Sequence, residues 1–189
     1  MALTLASRSP QRRAILEQLG IEFTVAEPSV EEIASGEAED VVLANALAKA
    51  RSVATAAPGA PLVLGVDTAV ELDNRLFGKP GDEAEARSFL RVLEGRMHRV
   101  WSGLVLIDAE GNERQGTSVT HVRFRQLGPR EIDWYAETGE WRGRAGGYAI
   151  QERGAALVDR VEGDYTNVVG LPVGQLIRLA PQLLTGGRR

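Results

Sequence analysis

The sequence predicts an α/β protein with a central, mixed and twisted sheet that is flanked by helices. In the N-terminal half, apolar strand-like segments alternate with amphipathic helical segments, which is typical of parallel β–α–β units. In the C-terminal half, two long strand-like segments follow each other directly, which indicates an antiparallel hairpin. The 189 residues are 43% hydrophobic and 25% charged, so the chain is long and apolar enough to build a sizeable core.

Elements of the first half follow from apolar periodicity and from residues that begin or end helices. Ser9 is a helix N-cap with Pro10 at the first helical position, and Gly20 ends this helix. The segment 61–66 is apolar on both faces, so we predict a buried strand there. The other elements predicted here are strands at 3–6 and 21–26, a hairpin of 69–72 and 76–77 around Asp73-Asn74, and helices at 10–19, 37–56 and 82–93.

The second half contains the long hairpin and further helices. The elements predicted here are strands at 98–108 and 115–124 joined by a turn at 110–112, a helix at 129–138, strands or loops at 146–151 and 155–161, a helix at 172–184 and a frayed tail at 185–189. No repeat or low-complexity linker divides the chain, so a single domain over 1–189 is predicted, with a two-lobed shape left open.

Composition excludes several kinds of site and partner. The chain has no cysteine, which excludes disulfides, thiolate metal sites and cysteine nucleophiles. No apolar run is long enough to cross a bilayer and no basic signal peptide opens the sequence, so we expect a cytoplasmic protein without a membrane partner. The net charge of −4 is unlike that of most nucleic-acid-binding proteins, so we expect no nucleic-acid partner.

Lysine is rare in this sequence. Of the 22 basic residues only Lys49 and Lys79 are lysines, and the rest are arginines. Where arginine has replaced lysine almost everywhere, a remaining lysine is a candidate for a position that needs a compact ammonium group. The alternative is that the two lysines are surface residues retained by chance. Lys79 lies between Gly78 and Pro80, which fix the backbone, whereas Lys49 falls late on the long predicted helix.

The segment from Ser7 to Arg13 predicts an anion site. A strand leads there into a helix N-terminus, where unpaired N–H groups face a ligand at the end of the strand. Arg12 and Arg13 fall in the first helical turn, where each cation opposes the helix dipole by ~0.3–1 kcal/mol unless an anion neutralises it. A phosphate chain is such an anion, and solvated arginines are the alternative.

Acidic residues suggest a metal site or a general base. Asp67 follows the strand at 61–66, and ligands of α/β sheets bind at the carboxyl ends of strands. Its carboxylate suits Mg²⁺ or proton transfer, although an Asx turn is the alternative. Glu31 and Glu32 offer a second carboxylate, or they begin the acidic N-terminus of the next helix. Gln151 follows a glycine-rich segment, and its carboxamide suits the edge of a base.

The order of these short motifs resembles that of the Maf family of nucleotide pyrophosphatases. The motifs are S-x-S-P-x-R, A-K-A, G-x-D-T, G-K-P, G-R-x-H, A-G-x-Y-x-I-Q and V-x-G-L-P, and they run from Ser7 to Pro172. The resemblance implies a fold like that of the inosine triphosphate pyrophosphatases, with a nucleotide cleft. It also implies cleavage of a nucleoside triphosphate between its α- and β-phosphates with a divalent metal (Mg²⁺, Mn²⁺ or Co²⁺), and a homodimer.

The resemblance assigns roles to individual residues. Asp67 is implied as the general base or metal-bound carboxylate, and Glu32 as a second acid near the metal. Lys79 is implied as a third catalytic residue. The residues implied in substrate binding are Ser7, Ser9, Arg12, Arg13, Lys49, Thr68 and Gln151.

Two branches of the family differ in their substrates. Thr68 and Gln151 resemble the branch that prefers dTTP and UTP over 7-methyl-GTP. Gln11, Gly143-Arg144 and Glu152 depart from the common pattern, which has arginine, Asp-Lys and glycine at these places. A preference for 7-methyl-GTP, inosine triphosphate or a broad range of triphosphates therefore stays open. So does a protein that senses nucleotides in cell division without cutting them.

Overall fold

The computed structural model describes residues 2–57 and 59–185. The strands are β1 Leu3–Ala6, β2 Phe23–Ala26, β3 Leu62–Leu72, β4 Arg75–Phe77, β5 Met97–Asp108, β6 Glu113–Phe124 and β7 Val158–Glu162. The α-helices are α1 Pro10–Gln18, α2 Ala38–Ala56, α3 Glu83–Leu93, α4 Pro129–Thr138, α5 Tyr165–Val169 and α6 Val173–Leu179. Of the predicted frayed tail, all but Thr185 lies outside the described residues.

The strands form one mixed sheet in the order β2-β1-β3-β5-β6-β7, with β4 paired to part of β3. The neighbours of β1 are parallel to it, and the pairs β3–β5, β5–β6 and β6–β7 are antiparallel. This confirms the predicted mixed sheet flanked by helices. The predicted hairpin is also present, since Asp73 and Asn74 both have positive φ, at 54° and 59°, as a tight two-residue turn requires.

The core lies on both faces of this sheet. On one face, leucines of β1 and β3 pack with α1 and α6. On the other face, Val63 of β3 and Val105 and Ile107 of β5 pack with alanines of α2. A third cluster joins the far ends of β3 to β6 with α3 and α4. The first two clusters fix both sides of β3 at the point where the shorter β1 ends, so the sheet is rigid there.

Helix α2 lies unusually close to the sheet because glycines face it. A Cβ placed on Gly65 of β3 would come within 2.1 Å of the Ala46 backbone oxygen. A Cβ on Gly103 of β5 would come within 2.5 Å of the Val42 oxygen. Only residues without a side chain permit this approach. It places the middle of α2 directly over the centre of β3.

Three expectations about the elements were wrong in detail. β3 does not end at residue 66, because its antiparallel pairing with β5 continues to Glu71. The helix predicted at 172–184 ends at Leu179, since Pro181 disfavours helical geometry at Ala180, which has φ −145° and ψ 67°. The segments at 146–151 and 155–161, predicted as strands or loops, contain two short 3₁₀ turns, Ala145–Gly147 and Arg153–Leu157, and have strand structure only from Val158 onward. Within the described ranges, no helix combines the length and apolarity that crossing a membrane requires.

Candidate functional site

A cleft of about 940 Å³ opens where β1 ends and β3 continues past it. The last residue of β1 to pair with β3 is Ala6, opposite Gly65, so the following residues of β3 border open space. One wall comes from the segment 7–12 and the loop before α2, and the other comes from the loops after β4 and α4. Sequence analysis placed the anion site at this strand end, and the structure places a cavity of nucleotide size there.

Asp67 lies at the floor of the cleft and is 8% exposed. Its Oδ1 accepts from Lys49 Nζ at 2.5 Å, and its Oδ2 accepts from Asn45 Nδ2 at 3.0 Å. Asn45 and Lys49 are four residues apart on α2, so they share the helix face that the sheet glycines admit. Both oxygens of the carboxylate therefore have a fixed direction.

Glu32 reaches the same ammonium group from the loop before α2. Its Oε1 lies 2.9 Å from Lys49 Nζ. Asn45 holds the loop through two hydrogen bonds with the backbone of Ile33, both of 2.9 Å. Partial burial raises the pKa of Glu32, but the hydrogen bond and charge of Lys49, with Lys79 and Arg12, outweigh it and hold this pKa below its usual value. Glu32 lies outside regular secondary structure, so its interpretation as the start of α2 was wrong.

Arg12 is a buried cation that joins three parts of the chain. Its Nε donates to the Gly170 oxygen at 2.9 Å, and its two terminal nitrogens donate to Ser7 Oγ at 3.0 Å and Thr68 Oγ1 at 3.2 Å. Burial lowers the pKa of Arg12, while the charges of Asp67 and Glu32 act in the opposite direction. A guanidinium remains charged under such conditions. The cation is thus held rigidly at the edge of the cleft.

Hydroxyl groups complete this edge. Thr68 Oγ1 lies 2.9 Å from the Oγ of Ser102, which is fully buried on β5. Ser9 caps α1, since its Oγ accepts from the Arg12 backbone nitrogen at 3.5 Å, which confirms the predicted helix start. Ser7 Oγ also accepts from the Ser9 nitrogen at 3.1 Å. The residues before α1 are therefore ordered by their own side chains.

The structure brings nearly all the predicted site residues into this cleft. Its walls contain Ser7, Ser9, Arg12, Glu32, Lys49, Asp67, Thr68, Lys79 and Gln151. Arg13 is half-buried and is absent from the cleft lining. Lys79 and Gln151 are exposed, and within the described ranges Lys79 forms no ion pair.

Several residues of the cleft were not predicted from sequence. Asn45 is detectable in principle, because it lies one helical turn before Lys49. The basic residues that were not assigned to the site, such as Arg75 and Arg142, have no local sequence signal, because only the fold brings them to the cleft. The basic side chains around the cleft are Arg8, Arg12, Lys49, Arg75, Lys79, Arg142 and Arg144. The acidic ones are Glu32, Asp67 and Glu85, so the cleft is basic in a chain whose net charge is −4.

Behind the cleft, His98 and Tyr148 form a buried polar pair. His98 Nε2 lies 2.9 Å from the Tyr148 hydroxyl, and both rings pack edge-on against Phe124. Burial lowers the pKa of His98 to about 4 and raises that of Tyr148. His98 is thus a buried, neutral residue, and its contact with Tyr148 supports the segment that leads to Gln151.

The fold and the cleft together define an α/β protein with a basic cleft at the end of a parallel strand. The chain belongs to the Maf family, since the family model described as "Maf-like protein" matches residues 2–183.

Curated relatives match almost the full chain. A protein of Symbiobacterium thermophilum named dTTP/UTP pyrophosphatase is 44% identical, and the match covers 98% of this chain and 97% of that protein. A protein of the same name from Deinococcus radiodurans is 43% identical over 93% of this chain and 89% of its own. One from Myxococcus xanthus is 45% identical over 94% and 90% of the two chains.

Solved structures share the fold. The Ham1 protein of Staphylococcus aureus aligns with a TM-score of 0.51 at 13% identity and covers 100% of each chain. A HAM1 protein from Coxiella burnetii also gives a TM-score of 0.51, at 16% identity over 99% of this chain and 100% of that one. These similarities confirm the predicted fold.

Proposed function

We propose that this chain is a nucleoside triphosphate pyrophosphatase that converts dTTP and UTP to the monophosphate and diphosphate. The observation that supports it most is the joining of Asp67, Glu32 and Lys49 in a basic cleft of about 940 Å³. The names of the curated relatives supply the reaction and the nucleotides. In this proposal the chain acts as a single cytoplasmic domain over 1–189 and assembles as a homodimer, as predicted from the sequence.

Asp67 is proposed as the group that orients and deprotonates the attacking water. A general base must have a fixed direction and reach the proton that it takes. Lys49 and Asn45 bind one oxygen each, which leaves the remaining lone pairs of the carboxylate for water.

The donor set of the cleft fits a divalent metal that arrives with the substrate. Asp67 and Glu32 share one ammonium group, at 2.5 and 2.9 Å, so their carboxylates are close enough to share one cation. Within residues 2–57 and 59–185 no group of three or more acidic or histidine side chains forms a complete site. Mg²⁺ commonly binds through one or two carboxylates and completes its shell with phosphates and water. Such a metal (Mg²⁺, Mn²⁺ or Co²⁺) would neutralise charge on the phosphates.

The basic walls are proposed to bind the phosphate chain. Arg12 is held by three hydrogen bonds and keeps unused N–H donors, while Lys79 is exposed in the cleft wall and is proposed to contact the leaving diphosphate. Such cations stabilise the transition state if they are in place before charge develops. Ser7 and Ser9 add hydroxyl contacts, and Thr68 and Gln151 are proposed to select the pyrimidine base. Arg13 is not needed for this arrangement.

A panel of triphosphates with diphosphate detection tests the function. We expect turnover of dTTP and UTP in Mg²⁺ or Mn²⁺ that exceeds turnover of ATP, GTP, ITP and 7-methyl-GTP. Preference for another member of the panel would contradict the proposed specificity but not the reaction. Tight binding without monophosphate formation would contradict the reaction and favour a nucleotide sensor.

The substitution Asp67→Asn tests the mechanism. An amide keeps the shape of the side chain but cannot accept a proton from water, so we expect turnover to fall at least about 100-fold. Nucleotide binding, measured by calorimetry, should persist. Near-normal hydrolysis by this variant would remove Asp67 from its proposed role.

A further inference from the structure

Arg144 lies in the wall of the cleft without a strong partner. Its side chain is 19% exposed, and its Nε is buried without a hydrogen-bond partner among the residues described. Its terminal nitrogen lies 3.4 Å from Glu152 Oε1, which is long for a charge-assisted hydrogen bond, typically ~2.7–2.9 Å. The side chain of Glu152 is 45% exposed, so this long ion pair holds neither side chain firmly.

The backbone nevertheless fixes the place of Arg144 in the cleft. The Gly146 nitrogen donates to the Gly78 oxygen at 3.0 Å, which ties this segment to the residue before Lys79. Gly146 has φ 70°, and a Cβ there would lie 2.7 Å from Val70, so the close contact depends on glycine. Arg144 and Lys79 therefore project from two adjoining segments of the same wall.

Arg144 and Glu152 are also two of the positions at which the sequence departs from the common pattern of its family. The structure shows that these departures contact each other. Gln151, which lines the cleft, directly precedes Glu152. The two changes thus form one local unit at the edge of the cleft.

We propose that Arg144 is an additional substrate-binding residue that binds phosphate oxygens of the nucleotide, and that Glu152 competes for it in the free protein. This inference rests on the proposed function, because the triphosphate supplies those oxygens. A guanidinium has five N–H donors in a planar fork that matches phosphate. A bound phosphate accepts from the terminal nitrogens of Arg144 and displaces the weakly held carboxylate of Glu152.

Titration calorimetry with inorganic diphosphate and with thymidine monophosphate, each with magnesium chloride, tests this role. Arg144→Gln should weaken binding of one of these probes about tenfold, since it removes a charged hydrogen bond from the complex. The affected probe tells whether Arg144 contacts the leaving diphosphate or the α-phosphate. Unchanged affinity for both probes would overturn the proposal.

Two further variants sharpen the test. Arg153→Gln is the matched control, because Arg153 lies in the next turn, pairs with Glu140 at 3.6 Å and does not line the cleft. Its affinities should equal those of the unmodified protein. Glu152→Gln should tighten binding of the same probe several-fold, and unchanged or weaker binding would contradict the competition. The calorimetry does not depend on turnover, so failure of the proposed function would be seen separately in the triphosphate panel.

Discussion

Lys49 links two acidic groups of the cleft, Asp67 and Glu32. Its ammonium contacts Asp67 and Glu32 and is almost fully buried. Removing one partner of a buried ion pair leaves an uncompensated charge, which is strongly destabilising. The rarity of lysine in the sequence indicated this residue, although composition did not reveal which carboxylates it contacts.

The substitution Lys49→Arg separates charge from shape at this position. A guanidinium is planar and larger than an ammonium, so it cannot occupy the space between two carboxylates that lie 2.5 and 2.9 Å from Nζ. We expect kcat to fall at least about tenfold although the charge is kept. Steady-state kinetics with dTTP measure this, and Arg51→Lys on the exposed side of α2 is the control. Full activity of Lys49→Arg would show that any cation suffices.

His98 predicts a pH dependence of stability. Its pKa is about 4 in the folded protein, against an ordinary histidine value of 6.5, so the unfolded chain binds more protons between these two pH values. The contribution of His98 is therefore complete above pH 6.5 and is lost as the pH falls toward 4. The size of the shift corresponds to about 3 kcal/mol in the free energy of unfolding.

Urea unfolding of the unmodified protein and of His98→Gln between pH 7 and pH 4 measures this contribution. Carboxylates titrate in both proteins, so the difference between the two curves isolates the histidine. This difference should shrink as the pH falls. Two curves that stay parallel would show that His98 is not the group responsible.

At the scale of elements, the position of α2 relative to the sheet determines the site. Gly65 and Gly103 admit the helix, and the helix carries Asn45 and Lys49 to Asp67. The sequence predicted the helix and β3, because apolar periodicity marks both. It did not predict their close packing, because an isolated glycine in a strand has several explanations.

The substitution Gly103→Ala should therefore affect stability and activity together. The added methyl group would lie 2.5 Å from a backbone oxygen that cannot rotate away, so α2 must shift. We expect a loss of ~1–3 kcal/mol in the free energy of unfolding and a lower kcat. Gly174→Ala on α6 is the control, since the nearest atoms there are 3.8 Å away and the change should stabilise by ~0.4–1 kcal/mol. Unchanged kcat in Gly103→Ala would show that the site tolerates movement of α2.

At the scale of the whole molecule, charge is distributed unevenly. The chain carries a net charge of −4, yet the cleft has seven basic and three acidic side chains. Sequence reasoning found only part of this set, because residues of loops that are far apart in the chain converge only after folding. The element order and the motif residues near β1 and β3 were predictable, since strand ends and helix caps have local signals.

This distribution predicts a salt-dependent Michaelis constant. Exposed cations such as Lys79, Arg75 and Arg142 attract the substrate over distances that salt screens, whereas the buried contacts of Arg12 and Lys49 are screened less. Raising potassium chloride from low concentration to about 0.5 M, where the screening distance falls to a few ångströms, should raise KM for dTTP several-fold and change kcat little. A constant KM, or a parallel fall of kcat, would contradict electrostatic attraction by the cleft.

The hydrogen bond from Arg12 to Gly170 makes the position of Arg12 depend on the C-terminal part of the chain. It connects two positions 158 residues apart, so the Arg12 guanidinium at the edge of the cleft is anchored by the segment that leads into the last helix. A substitution or cleavage near Gly170 would thus be expected to weaken substrate binding at Arg12, near the amino terminus. The turnover rate should therefore depend on whether the C-terminal segment is folded against the N-terminal segment.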